Sequence, residues 1–347
     1  MNFASDNVAG AAPEILAAIA RANARARMAY GEDADSRAIE ARIADVFETE
    51  ADVFLVATGT AANALALSVV TPPWGAVFCH ADSHVYRDEC GAPEFFAGGA
   101  RLVPLLGADG KIAPAELAAA ADAPGHGVHA VQPTAVSISQ ASEWGTVYSP
   151  SELRAVTKAA RKRGLKVHMD GARFANALVG LGCAAADITW RAGVDVLSFG
   201  ATKNGALAAE AVVVFDRTLS ATLPYRRKRG GHLFSKMRLL AAQFDAYLDR
   251  GLWLDLARRA NAAAQRLADG LEDVPGARLV HPVSANEIFV ELPEAVITGL
   301  LADGFIFHRW GDEQCRTVRL VTAFDTANAD VDALVGAARR HAGTQSP

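Results

Sequence analysis

The segment Asp195-Val196-Leu197-Ser198-Phe199-Gly200-Ala201-Thr202-Lys203-Asn204-Gly205 decides how the 347-residue chain is read. Its apolar run, Val194 to Phe199, is interrupted only by Asp195 and Ser198 and has the length of a buried strand. The run breaks at Gly200, and Lys203 stands among small residues just past the strand end. Burying an ammonium is costly unless a partner or a covalent bond compensates. A desolvated lysine has a depressed pKa, which makes it a nucleophile. Taken alone, the position also suits a loop lysine whose head reaches water.

Upstream, Leu165-Lys166-Val167-His168-Met169-Asp170-Gly171-Ala172-Arg173 has the same form, an apolar strand ending in Asp-Gly-Ala-Arg. An aspartate there suits a helix N-cap. Asp170 and Lys203 are 33 residues apart, about one strand-helix-strand unit. A carboxylate on one strand end and a lysine on a later one are also the two groups that pyridoxal phosphate (PLP) requires, the lysine for its aldehyde and the carboxylate for its ring nitrogen.

Working outward, Asp52 to Ala57 reads as a strand, followed by Thr58-Gly59-Thr60-Ala61-Ala62-Asn63 and the apolar helical run Ala64 to Val70. A strand, a Gly/Thr turn and a helix N-terminus form an anion site from free N–H groups and the helix dipole; such turns are also plain caps. Val77 to His80 is a strand, followed by Asp82-Ser83-His84-Val85-Tyr86-Arg87-Asp88-Glu89. Arg101 to Leu106 reads as a strand and Pro114 to Ala121 as a helix, and a strand region then runs from Ala130 to Ile138. Ser149-Pro150-Ser151-Glu152 is a capping box that opens a helix ending near Gly164. Ala209 to Phe215 is a strand apolar enough to be covered on both faces. Tyr225 to Leu233 holds a basic run ending in glycines, a composition that suits a solvated face. Ser235 to Arg250 and Trp253 to Leu271 read as helices. After them come strands at Glu287–Leu292, Phe305–Trp310 and Val318–Phe324, and helices at Glu294–Ala302 and Val331–His341.

Composition narrows the classes. The chain is 51% hydrophobic with a net charge of −5, which gives no reason to expect nucleic-acid or bilayer binding. It has no run of 18 apolar residues and no secretory pattern in its first residues. Cys79, Cys90, Cys183 and Cys315 are scattered, with neither disulfide nor zinc spacing, so reduced thiols, a cytoplasmic location and no metal are expected.

These motifs, with Ser5-Asp6-Asn7, Tyr30-Gly31-Glu32-Asp33 and Thr317-Val318-Arg319-Leu320-Val321-Thr322, resemble those of the PLP-dependent L-threonine aldolases over essentially the whole chain. The resemblance implies an α/β, aspartate aminotransferase-like fold of type I. It has a mainly parallel seven-stranded sheet with helices on both faces, and a small C-terminal α/β domain. Residues 1–250 would form the large PLP-binding domain with its N-terminal arm, and 251–347 the small domain. PLP is the implied cofactor. It would be bound to Lys203, with Asp170 at the ring nitrogen and His84 flat against the ring; Gly59 and Thr60 would hold the phosphate. Ser5, Arg173 and Arg319 would grip the substrate carboxylate, Arg173 bidentately, and Glu89 matches an acidic position nearby. A homodimer or homotetramer with its site at the subunit interface is implied, acting on an amino acid and an aldehyde.

The chain departs from the resemblance twice. Relatives carry Arg-Lys-x-x-Gly-Gly-Gly-Met-Arg, whose last arginine binds phosphate; that arginine is missing here, leaving Lys228 and Lys236 as candidates. Many carry Glu-Asn-Thr-His-Asn, whose histidine touches the β-hydroxyl, where this chain has Ser137-Ile138-Ser139-Gln140-Ala141-Ser142-Glu143. Ser137, Gln140 and His84 (through water) are the expected substitutes. The expected reaction is retro-aldol cleavage of L-3-hydroxy-α-amino acids, the alternatives being β-elimination, transamination or a non-catalytic PLP-binding protein.

Overall fold

A computed structural model describes residues 1–312 and 314–343; residues 344–347 of the expected small domain lie outside the described residues. Seven strands form one sheet: β1 (Asp52–Val56), β2 (Gly75–His80), β3 (Arg101–Leu105), β4 (Gln132–Ser139), β5 (Lys166–Gly171), β6 (Val196–Gly200) and β7 (Glu210–Val214). Their order is β1-β7-β6-β5-β4-β2-β3. β7 runs antiparallel to both neighbours and the remaining pairings are parallel. The strands are nearly continuously apolar because both faces are covered. Leu197 and Val213 point into one core, while Val196 and Val212 point into a second one under the helix Gly59–Val70.

β4 starts two residues later and ends one residue later than the expected Ala130 to Ile138, and it runs straight through Pro133. Its register against β2 shifts between Ala76 and Val77, where Thr134 is left unpaired. That bulge absorbs a residue that cannot donate a ladder hydrogen bond. The basic run lies within the helix Leu223–Arg229, which buries Arg227 and leaves its neighbours at the surface. The helix expected from Ser235 begins at Arg238.

A second sheet of four antiparallel strands contains β8 (Arg278–Leu279), β9 (Glu287–Glu291), β10 (His308–Arg309) and β11 (Thr317–Val321), in the order β10-β11-β9-β8. Helices Leu252–Glu272, Glu294–Ala302 and Asn328–Gly343 pack on it through Leu267, Val296, Leu300 and Leu334. β10 is shorter than the expected Phe305–Trp310 because the N-terminal segment competes for its backbone. Phe3 N–H donates to Ile306 O (2.7 Å), Ile306 N–H to Met1 O (3.0 Å) and Val321 N–H to Phe3 O (2.8 Å). The Phe3 ring is buried in the core beneath this sheet.

Candidate active site

Lys203 and Asp170 meet because β5 and β6 are adjacent and parallel, pairing Asp170 with Ser198. The strand ends approach closely at Gly200, where a Cβ would lie 2.7 Å from Ala172 O. Beyond it the chain makes one tight turn, Thr202–Asn204. Asn204 Nδ2 anchors the turn by donating to Tyr247 Oη and Trp253 O, both at 2.8 Å, and Gly205 closes it at φ +99°. Lys203 is half-buried and projects into a cavity of about 250 Å³. No described residue forms a hydrogen bond or ion pair with its ammonium, which leaves the amine available for chemistry.

Asp170 lines the same cavity. Its Oδ1 accepts from Ala172 N–H (3.0 Å) and its Oδ2 from Asn63 Nδ2 (2.8 Å). Asn63 also donates to Glu89 Oε1 (2.8 Å), and His84 Nδ1 donates to that same oxygen (2.9 Å). The Glu89 hydrogen bond raises the His84 pKa despite partial burial, so the ring is held towards its cationic form. The structure thus joins His84, Glu89, Asn63 and Asp170 in one network. In the sequence Asn63 only closes the Thr58–Asn63 motif ahead of the apolar run, with nothing to mark it as a partner of Asp170.

Two further carboxyls line the cavity, Glu143 and Glu210. Burial raises both pKa values, that of Glu210 to about 7. Glu210 Oε1 accepts from Thr202 N–H and Glu143 Oε1 from His84 N–H, each at 3.3 Å. Ser137 and Gln140, the expected β-hydroxyl contacts, are committed elsewhere. Ser137 Oγ is 2.9 Å from His168 Nδ1, and the Gln140 amide bonds the backbone of Tyr148 in both directions at 2.9 Å. Both are fully buried and absent from the cavity wall: Ser137 faces inward from β4, and Gln140, just past its end, is held by the Tyr148 backbone.

Arg173 also lines the cavity, but its fork is already taken. Nε and Nη2 donate to the two Asp6 oxygens at 2.7 and 2.9 Å. The expected bidentate grip on a substrate is therefore unavailable, and Nη1, 3.4 Å from Glu287 Oε2, is what remains. Burial alone would raise the Asp6 pKa; the attraction of Arg173 and Lys203 and the hydrogen bonds of Arg173 and Asn286 lower it on balance. Arg319 stands beside the cavity rather than in its wall, its Nη1 3.9 Å from Glu287 Oε1 and its guanidinium over the Trp310 ring. Ser5 is not brought to Lys203. Its Oγ accepts from Asn7 N–H (3.1 Å), and it lines a separate cavity with Met1 and Val8. The N-terminal segment contributes Asn7 to the wall instead.

Gly59 and Thr60 form the opposite wall, at the first turn of a 12-residue helix capped by Thr58 Oγ1. Their N–H groups have no partner among the described residues, and a Cβ at Gly59 would meet nothing within 4 Å. Lys228 and Lys236 are exposed and do not reach this wall; Lys228 Nζ lies 4.4 Å over the Tyr30 ring. An unengaged lysine, an oriented carboxylate, an imidazole and a helix N-terminus with open space before it fit PLP. The partial misfit is the phosphate, for which the wall supplies no lysine or arginine besides Lys203 and the engaged Arg173. No group of three or more metal-ligating side chains occurs among the described residues, and no described helix is long and apolar enough to cross a membrane.

The arrangement defines an enzyme of aspartate aminotransferase-like architecture with an unengaged lysine in its cavity. Residues 2–295 match the family described as Beta-eliminating lyase, and the chain belongs to that family. It is 43% identical to the low specificity L-threonine aldolase of Pseudomonas aeruginosa, covering 93% of each chain. It is 41% identical to that of Pseudomonas sp. (strain NCIMB 10558), covering 95% of this chain and 94% of the other. The threonine aldolase of Leishmania major superposes with a TM-score of 0.92 at 31% identity, over 98% of this chain and 99% of that one.

Proposed function

We propose that this protein is a PLP-dependent aldolase that cleaves L-3-hydroxy-α-amino acids, such as L-threonine, L-allo-threonine or phenylserine, to glycine and an aldehyde. The observation that carries the reading is the convergence of Lys203, Asp170 and His84 on one cavity in a chain that matches threonine aldolases end to end. When bound, PLP supplies a conjugated electron sink for the pair released from the Cα–Cβ bond.

The residues around that chemistry have separable tasks. Lys203 would offer the amine to the cofactor aldehyde. Asp170, fixed by Asn63 and Ala172, would hold a proton at the ring nitrogen. His84, its orientation set by Glu89, would hold the ring in place. The Gly59 and Thr60 N–H groups would hold the phosphate at the helix N-terminus. Nη1 of Arg173, with Arg319 behind it, draws the substrate carboxylate to one end of the cavity. Fixing that end would orient the substrate, and orientation selects which bond breaks.

The protein acts as a homo-oligomer, dimer or tetramer, with its site at the subunit interface; the placement of Lys228 and Lys236 away from the phosphate wall supports a cation supplied by the partner. The four unpaired cysteines favour a reducing compartment, the cytoplasm. The test is aldehyde and glycine release from L-threonine and L-phenylserine by the purified protein with added PLP. Equal amounts of both products are expected. Pyruvate with ammonia, or a keto acid, would replace this reading with elimination or transamination.

A further inference from the structure

We propose that Glu143 is the catalytic residue that accepts the proton of the substrate's β-hydroxyl. The inference rests on the aldolase reading and assigns a base to it. Three carboxyls line the cavity: Asp170, Glu210 and Glu143. Asp170 is committed through both oxygens, to Asn63 and to Ala172 N–H. Glu210 is turned onto the backbone of the Lys203 turn, at Thr202 N–H. Glu143 accepts one backbone hydrogen bond, from His84 N–H, and its second oxygen has no protein partner among the described residues. His84 is poorly suited as the base, because its hydrogen bond to Glu89 favours the cationic ring.

The loop around Glu143 is held on both sides. Ser142 Oγ is 2.7 Å from Thr146 Oγ1, and Trp144 Nε1 donates to Asp82 Oδ2 (3.0 Å) while its ring stacks on Phe289 at 5.4 Å. A half-buried carboxyl on a braced loop, facing Lys203, Arg173, His84 and Asp170, is costly to keep unless it serves the site. Its raised pKa brings its proton affinity closer to neutrality, where a general base works best.

The step balances within the substrate and this side chain. The Glu143 carboxylate takes the hydroxyl proton, the O–H electron pair becomes the second bond of the aldehyde carbonyl, and the Cα–Cβ bond breaks with its pair left on Cα. Protonation of Cα then gives glycine, and the Glu143 proton returns to solvent.

Glu143→Gln in the holoenzyme is the test. It is read by aldehyde release from L-threonine and by solvent deuterium exchange at Cα of glycine, which has no hydroxyl. Cleavage should fall about a hundredfold or more, with glycine exchange and the cofactor spectrum unchanged. Glu143→Asp, which keeps the carboxylate at shorter reach, should cleave at an intermediate rate. Cleavage preserved in Glu143→Gln, or cleavage and exchange lost together in a folded, PLP-loaded variant, would overturn the assignment. If Glu143→Gln does not fold, Glu143→Asp decides alone: equal loss of both rates overturns the assignment, and selective loss of cleavage supports it. Unsubstituted enzyme that exchanges glycine but releases no aldehyde would instead refute the aldolase reading, and this proposal with it.

Discussion

Asn63 and Asp170, 107 residues apart in sequence, are joined by a 2.8 Å hydrogen bond from Nδ2 to Oδ2. The same amide nitrogen bonds Glu89, so one neutral side chain holds two carboxylates in a buried place. Asn63→Ala removes that donor and leaves both carboxylates short of a partner. The lost bonds are worth about 1–3 kcal/mol, or roughly five- to 150-fold weaker PLP binding. Titration of the apoenzyme with PLP measures it, and unchanged affinity would refute the orienting role.

Lys203→Ala removes the amine that no described residue engages. The visible absorption of bound PLP should disappear, and cleavage should drop by about 10³-fold or more. A spectrum like that of the unsubstituted protein would show that another group carries the cofactor.

The Asp6–Arg173 pair is fully buried, and breaking such a pair costs about 3–5 kcal/mol because the surviving charge is stranded. Asp6→Ala should lower the urea midpoint accordingly. The Asp6 pKa is depressed in the folded protein, so its stabilisation is complete above the ordinary aspartate value and is lost as pH falls through the depressed one. The two proteins should therefore differ most at neutral pH and converge in acid.

His168 bridges Ser137 and Ser198 at the centre of the sheet, and burial pushes its pKa down to about 4. A histidine kept neutral in the fold adds stability above its unfolded value of 6.5, and that stability is lost as pH falls towards about 4. The effect is about 3 kcal/mol. His168→Asn should be less stable at pH 7 but show a flatter dependence on pH across this window.

Glu210 has the opposite sign. Burial raises its pKa to about 7, so its ionisation in the fold costs stability as pH rises from 4.5 towards 7. Glu210→Gln keeps an acceptor for Thr202 N–H and should be more stable at pH 8 by about 1–3 kcal/mol. A gain in urea midpoint accompanied by slower cleavage would be the usual exchange of stability for function at an active site.

What could be read from the sequence follows from how each residue announces itself. Lys203 and Asp170 end apolar runs, and a strand followed by Gly/Thr and an apolar helix marks Gly59 and Thr60. Glu210 opens a strand whose other residues are apolar, and so passes as part of it. Asp6, Asn63 and Glu287 take their importance from partners on distant segments, and one sequence has no signal for which strand edges or chain segments will meet. The basic run misled for a simpler reason. On the helix Leu223–Arg229 the inward positions fall four residues apart, at Leu223 and Arg227, so Arg227 turns inward to donate to Leu55 O while Lys228 faces away.

The docking of residues 1–3 against Ile306 and Val321 bears on the order of assembly during synthesis. Asp6 hangs from a segment whose own backbone partners are translated long after it, and such distant pairings form late. A nascent chain that has passed Gly205 already contains Lys203, Asp170 and His84, yet Arg173 must wait for Asp6 until β11 has emerged. Its buried guanidinium is a point at which premature arrest would expose the chain to chaperones or proteases.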